Sequence, residues 1–295
     1  MNINFELYKV FYHAAKELNF TRAADSLFVT QSSVSQAIKQ LESHLDVLLF
    51  IRNKRNMQLT REGEMLLSHI SEAYDLIKAG ERNIENTKNL GYGEVNIGAS
   101  DTICRYFLLD YIKRFHRDYP KIHINITNQS SRQTLEDIAI GRMDFGIINL
   151  PGSRNTLLKG VTITNIGEFQ EVAITTNTYS SKLSSNPSLQ HLSKLPLITL
   201  TKNTNTRRYL DAFFNAHKLT FTPEFELESI DLIIDFVRIG LGIGFVMSDA
   251  IPKDAKDVHV LDLKESLPSR TIYIVTNKNC PISIPTKHFM NVLLQ

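Results

Sequence analysis

The sequence predicts an α+β, multidomain chain in three parts. These are an N-terminal winged helix-turn-helix, a long linker helix suited to dimerisation, and a C-terminal two-lobed α/β domain. Three observations carry this expectation. Residues 20–45 space their apolar side chains as two short helices do, residues 61–89 carry a seam alternating four and three residues apart, and strand-like and helix-like runs alternate from Glu94 onward.

The first expected helix gathers Phe5, Tyr8, Val10, Phe11, Ala14, Ala15 and Leu18 and can cap the pair that follows. In that pair Thr21 is the expected N-cap, and Ala23, Ala24 and Leu27 form the apolar stripe of the leading helix. After a turn around Phe28 to Gln31, Val34, Ile38, Leu41 and Leu45 recur at spacings of four, three and four, so they share one buried face. The opposite face carries Ser32, Ser35, Gln36, Lys39 and Gln40, side chains able to bond base edges or phosphates. Such a rod fits the major groove of DNA. Any amphipathic helix pair produces the same spacing, so the pattern by itself leaves a purely structural reading open. Leu48–Ile51 and Met57–Leu59 then flank Arg52-Asn-Lys-Arg-Asn56, a hairpin with three cations at its tip. It reads as a wing along the phosphate backbone or as an ordinary solvated turn.

Phe11, Phe20-Thr-x-Ala-Ala24, Leu27, Thr30-Gln31, Val34-Ser35, Ile38, Leu41-Glu42, Leu49-Phe50, Arg52 and Leu59-Thr60-x-x-Gly63 together resemble the winged DNA-binding domain of LysR-type transcriptional regulators. The likeness spans the first sixty-odd residues with matching spacing. Three positions depart from the family pattern: Ser32 and Met247 stand where proline is usual, and Asp46 where glycine is usual. A glycine at that point implies a positive φ, which aspartate tolerates better than most residues. For DNA contact the expected residues are Gln31, Ser32, Ser35, Gln36 and Lys39 in the groove, with Arg52, Lys54 and Arg55 on phosphates.

The seam of the long segment runs through Leu66, Ile70, Ala73, Ile77, Gly80, Ile84 and Thr87. It supercoils against a partner helix, most simply the same segment of another subunit, although packing on its own chain is the competing reading. A dimer suits two reading helices on paired half-sites. Gly91-Tyr-Gly93 ends the helix. Expected boundaries are 1–60 for the winged domain, 61–90 for the linker helix and 91–295 for the remainder.

In that remainder Val95–Ile97, Ile122–Ile126 and Asp144–Ile148 read as strands separated by helices. A second set has strands near Glu171–Thr175, Leu197–Leu200, Phe225–Glu228, Gly244–Val246 and Val258–Leu261, with helices near Thr206–His217 and Ser229–Ile239. Strand Thr271–Val275 and a helix from Pro285 return to the first set. The expected lobes are 91–162 plus 267–295, and 163–266. Alternation of this kind implies parallel sheets covered on both faces, with ligand binding at strand carboxyl ends. This half resembles the effector domain of the same family, whose fold is like that of periplasmic binding proteins. Gly141–Gly146 and Val237–Gly244 carry that resemblance.

Ser100 and Thr102, Asn128 and Ser130, and Thr204 and Asn205 lie where strands give way to helices, and are expected to hold a small, carboxylate-bearing effector. Capping alone also explains such residues.

The 295 residues, 42% hydrophobic, suffice for several cores. A net charge of +2 is too small for a non-specific DNA coat, though residues 1–61 hold eight Lys/Arg against five Asp/Glu. No apolar run spans a membrane and no signal peptide is visible, so a soluble, cytoplasmic protein is expected. Two cysteines, Cys104 and Cys280, indicate no disulfide framework, and a redox switch stands open beside two reduced thiols of which one is buried. Scattered histidines give no metal site, and no cofactor is expected. The run Gly240-Leu-Gly-Ile-Gly244 follows a helix and opens a strand, the reverse of a dinucleotide loop, and no catalytic motif appears. The resemblance implies no enzyme. It implies a regulator of promoter DNA, homodimeric or homotetrameric, responsive to a small molecule, with RNA polymerase open as a further partner.

Overall fold

A computed structural model describes residues 3–52, 57–88, 93–150, 160–180 and 183–294. Contacts divide the chain into two units, residues 1–81 and 82–295.

In the first unit α1 (Phe5–Glu17), α2 (Phe20–Leu27) and α3 (Gln31–Leu45) form a three-helix core. Phe11, Ala23, Val34, Ile38 and Leu41 lie fully buried in it. Edge-on contacts of Phe11 and Phe20 with Phe50, at 5.7 and 5.4 Å, seal the core against the hairpin. The N-cap of α2 is Asn19, not the expected Thr21. Its side-chain oxygen accepts from both Thr21 and Arg22 amides, which puts Thr21 inside the helix. Thr30 caps α3, and Asp46 ends it with φ 55°, the left-handed conformation that the family glycine suggested.

The strands β1 (Phe50–Arg52) and β2 (Met57–Leu59) pair antiparallel, Phe50 opposite Leu59. Lys54 and Arg55 lie outside the described residues. The long helix α4 (Arg61–Lys88) follows directly. Leu66 and Ile70, the first two seam positions, pack on the winged domain's own core, while Ile77 and Ile84 are 43% and 60% exposed. The first stretch of the seam thus packs on its own chain, while Ile77 and Ile84 stay exposed. The expected helix end, Asn89 to Tyr92, lies outside the described residues.

Tyr74 of α4 stacks on Tyr12 of α1 at 4.4 Å, and beside them His13 faces Ser26 Oγ at 3.3 Å and the Tyr74 hydroxyl at 3.5 Å. Burial, then the charge of Lys9, lowers the His13 pKa. The native unit thus favours neutral imidazole, and the unfolded chain takes up the proton first as pH falls below its ordinary value of 6.5. Stability conferred by this site is full above that value and declines on acidification. Thermal unfolding followed from pH 8 to pH 5 should show a steeper acid loss for the native chain than for a His13→Gln variant; parallel profiles would remove His13 as the cause.

The second unit runs β3 (Gly93–Ala99), α5 (Asp101–Ile103), a π-helical turn Cys104–Leu108, α6 (Leu109–Asp118), β4 (Ile122–Asn128), α7 (Ser131–Ala139), β5 (Phe145–Asn149) and β6 (Val161–Phe169). Next come β7 (Glu171–Thr175), α8 (Asn177–Ser180), α9 (Leu189–Leu192), β8 (Leu197–Leu200), α10 (Asn205–Ala216), β9 (Phe225–Leu227), α11 (Ile230–Arg238), β10 (Ile243–Met247) and β11 (His259–Leu261). The chain ends with β12 (Arg270–Asn277) and α12 (Ile284–Leu293).

Two five-stranded sheets result, ordered β4-β3-β5-β12-β6 and β11-β7-β10-β8-β9. They are mixed rather than purely parallel: β12 runs antiparallel to β5 and β6, and β7 antiparallel to β10 and β11. The returning chain enters each sheet from the other lobe, which fixes its opposite direction. β6 was not foreseen as a strand, and it pairs along its length with β12. The first lobe therefore extends to Phe169 rather than residue 162, and the chain crosses at Gln170. α12 closes the first lobe by setting Phe289 against Phe115 and Phe145 at 4.6 and 5.6 Å.

Candidate functional site

On α3 the residues Gln31, Ser32, Gln36 and Lys39 are exposed and Ser35 is half-buried, opposite buried Val34, Ile38 and Leu41. The Ser32 hydroxyl already bonds Thr30 Oγ1 at 2.8 Å. One residue that the sequence reading left without a role orients the wing. Glu42 accepts from the Leu49 and Phe50 amides at 2.8 and 3.3 Å, tying the start of β1 to α3. Thr60 completes the clasp, donating its hydroxyl to Leu48 O at 2.7 Å and accepting from the Gly63 amide at 2.9 Å. Arg52 ends β1 and is the last position of that strand to pair, opposite Met57.

In the second unit the carboxyl ends of β3, β4, β5 and β8 converge on a cavity of about 250 Å³ between the two lobes. All six expected effector residues, Ser100, Thr102, Asn128, Ser130, Thr204 and Asn205, line it. So do Asp101, Gln129 and Thr206, which lie within the same candidate loops, and Asn149, Asn203 and Glu228, which the sequence did not single out. Asn149 ends a strand that the sequence reading recognised, so the rule of strand carboxyl ends would have found it. Glu228 follows β9 just before the Ser229 cap of α11, and Thr206 lies in the first turn of α10, so both also stand at strand-to-helix junctions.

Ser100, Ser130 and Thr204 also cap α5, α7 and α10, accepting from the Ile103, Gln133 and Arg207 amides at 3.5, 3.3 and 3.2 Å. Capping and cleft-lining thus coexist in the same side chains. Asn205 departs from the expectation of a free ligand contact. Its Nδ2 donates across the cleft to Asn149 O at 2.6 Å and Asn149 Oδ1 at 3.0 Å, so the amide links the lobes.

Beneath the cavity the crossing segments meet at a buried ion pair, Arg270 Nη1 to Glu171 Oε1 at 2.8 Å. Thr206 Oγ1 donates to the same carboxylate oxygen at 3.0 Å and accepts from Arg270 at 3.1 Å. The guanidinium lies between the Phe169 and Tyr209 rings, 5.0 and 4.8 Å from their centroids. Burial pushes Glu171 up against the opposing pull of Arg270, and pushes Arg270 down. Thr206 therefore joins the cavity wall to the hinge.

Cys104 and Cys280 are both free and half-buried, so neither is the fully buried thiol expected. Burial, then Asp101, pushes Cys104 up to about 11, and burial also raises Cys280. Both therefore stay protonated near neutrality. Among the described residues no three His, Cys, Asp or Glu side chains cluster as a metal site, and no helix is long and apolar enough to cross a membrane.

The family model of the LysR substrate binding domain matches residues 89–295. The chain is a LysR-type transcriptional regulator. The model of the bacterial regulatory helix-turn-helix protein, lysR family, matches residues 5–64 of this regulator. A probable RuBisCO transcriptional regulator of Nostoc sp. (strain PCC 7120 / SAG 25.82 / UTEX 2576) is 33% identical over 272 residues, covering 90% of the LysR-type chain and 80% of the relative. Among solved structures, a full-length OxyR variant from Pseudomonas aeruginosa matches with TM-score 0.69 at 21% identity, covering 100% of this regulator and 94% of that chain. Full-length CbnR complexed with its target DNA matches at 0.68 and 17%, covering 99% of each chain. At these identities the two structures bear on fold alone. Family membership makes this regulator a transcription factor with a DNA-binding and an effector-binding part, not an enzyme.

Proposed function

We propose that this regulator reads a promoter through α3 and its wing, pairs with a second copy through the exposed stretch of α4, and senses a small polar metabolite in the interlobe cavity. Gln31, Ser32, Ser35, Gln36 and Lys39 face the groove, and Arg52, Lys54 and Arg55 meet phosphates. Ile77 and Ile84, exposed on one seam, supply the dimer contact; a homotetramer follows where effector domains pair as well. Such a protein works on cytoplasmic DNA, and repositioned reading heads admit or block RNA polymerase.

The observation that carries the sensing role is the convergence of three capped helix starts on one polar cavity. Amides and dipoles there favour one carboxylate. Asp101 and Glu228 on the same walls disfavour a second negative charge and accept from hydroxyl or ammonium groups. The effector class is therefore a monocarboxylate carrying hydroxyl or amino substituents. Binding replaces the Asn205–Asn149 link and so shifts the balance of lobe arrangements. Calorimetry with a panel of hydroxy and amino acids, paired with DNA footprinting, tests this. A Ser100→Ala/Thr204→Ala chain should lose metabolite binding while keeping its footprint; unchanged binding would reject these contacts.

A further inference from the structure

Phe28 is the most exposed large apolar side chain among the described residues, at 96%, and it occupies a position that disfavours it twice over. It ends α2 in the left-handed conformation, φ 56° and ψ 40°. Glycine or asparagine serves that corner at less cost. Its backbone is held there: the Phe28 amide donates to Asp25 O at 3.2 Å and the Val29 amide to Ala24 O at 3.0 Å. The turn therefore explains the conformation and offers no reason for a phenyl ring, which packs on nothing that would bury it. Two residues later Thr30 caps α3, followed by exposed Gln31 and Ser32. Phe28 thus stands, exposed, two residues before the cap of the end of α3 that enters the groove first in helix-turn-helix docking.

Base edges in the major groove present one apolar group, the thymine 5-methyl, and an aromatic or small apolar side chain is its usual counterpart. We infer that Phe28 is a specificity-determining residue that covers a thymine methyl beside the bases read by α3. This rests on the proposed role of α3 as the DNA reader. The exposed ring loses its water-facing surface only when duplex is bound, and the rigid left-handed corner holds it there before binding. A neighbouring polar residue cannot replace it, because a methyl group offers no hydrogen bond.

The test uses the full-length protein. Duplexes enriched from a random pool define the preferred site, and each thymine in it is then exchanged for deoxyuridine, which lacks only the methyl. Native protein should lose about fourfold in affinity at one thymine position per half-site, the value of one buried methyl. Phe28→Asn, which suits the left-handed corner, should bind the thymine duplex about as weakly as native protein binds the uracil one. It should also be indifferent to the exchange. Equal thymine-to-uracil losses in both proteins, or no loss at any position, would overturn the inference while leaving α3 as reader. Failure to enrich any sequence would overturn both. Gln36→Ala on the same duplexes separates them, since it should change a base preference and keep the methyl effect.

Discussion

Replacing Arg270 by methionine should lower the unfolding free energy of the effector unit by about 3–5 kcal/mol, the cost of leaving one buried charge without its partner. Glu171 is 1% and Arg270 4% exposed, so water cannot substitute for the lost guanidinium. Glu171 would respond by holding a proton. Its pKa already lies above the ordinary 4.5 through burial, and it rises further once Arg270 is gone. Above 4.5 the native variant then binds more protons than the unfolded chain, and its stability falls as pH rises through the shifted value. The Arg270→Met deficit should therefore be small in acid and largest at neutral pH. Among the described residues Glu171 Oε2 and Arg270 Nε and Nη2 find no hydrogen-bond partner, so the native network is incompletely satisfied. A Glu171→Leu/Arg270→Met chain should accordingly regain most of the loss. Urea unfolding of the three chains at pH 5 and 7.5 decides the matter. If the double variant is as unstable as the single one, packing and not charge holds the hinge.

Gly63→Val should disable DNA binding while leaving most helix intact. Gly63 lies in the first turn of α4, where a Cβ would press on the Leu49 carbonyl oxygen and lie 3.1 Å from Leu59 Cδ2. The obstacle is backbone, which cannot swing aside as a side-chain end does. The helix start must retreat from β1, at about 1–3 kcal/mol for overpacking. Retreat breaks the Thr60 clasp on Leu48 and Leu49, and with it the orientation of the wing. Affinity for every duplex should fall together, by tenfold or more, as follows from the proposed contact of the wing with phosphates. The salt dependence should flatten and the circular dichroism should hardly change. Native affinity in this variant would show that the close approach is dispensable.

The glycine in the Leu59-Thr60-x-x-Gly63 motif shows how far a sequence can be read. Its place in a pattern was visible, but its reason, contact with a carbonyl fourteen positions back, was not. The cleft followed the same division. Ser100, Ser130 and Thr204 were found because strand-to-helix junctions leave a local signature of cap residues. Thr206 and Glu228 stand at such junctions too but do not cap their helices, Thr206 following the Thr204 cap and Glu228 preceding the Ser229 cap, so no cap residue marks them. β6 escaped notice because its run Val161–Phe169 is interrupted by Asn165 and Gly167, and its partner β12 lies a hundred residues away in the chain.

Periodicity over three to seven residues determined the helix-turn-helix, the apolar seam of α4 and the strand–helix succession, because those patterns record which face of each element meets a core. Only the tertiary structure decided the mixed direction of the sheets, the Asn205–Asn149 link across 56 positions and the Arg270–Glu171 pair across 99. Such partners meet where separately folded elements cross. Neither residue of a pair constrains its own neighbours in sequence, so the chemistry of the hinge exists only once both lobes are assembled.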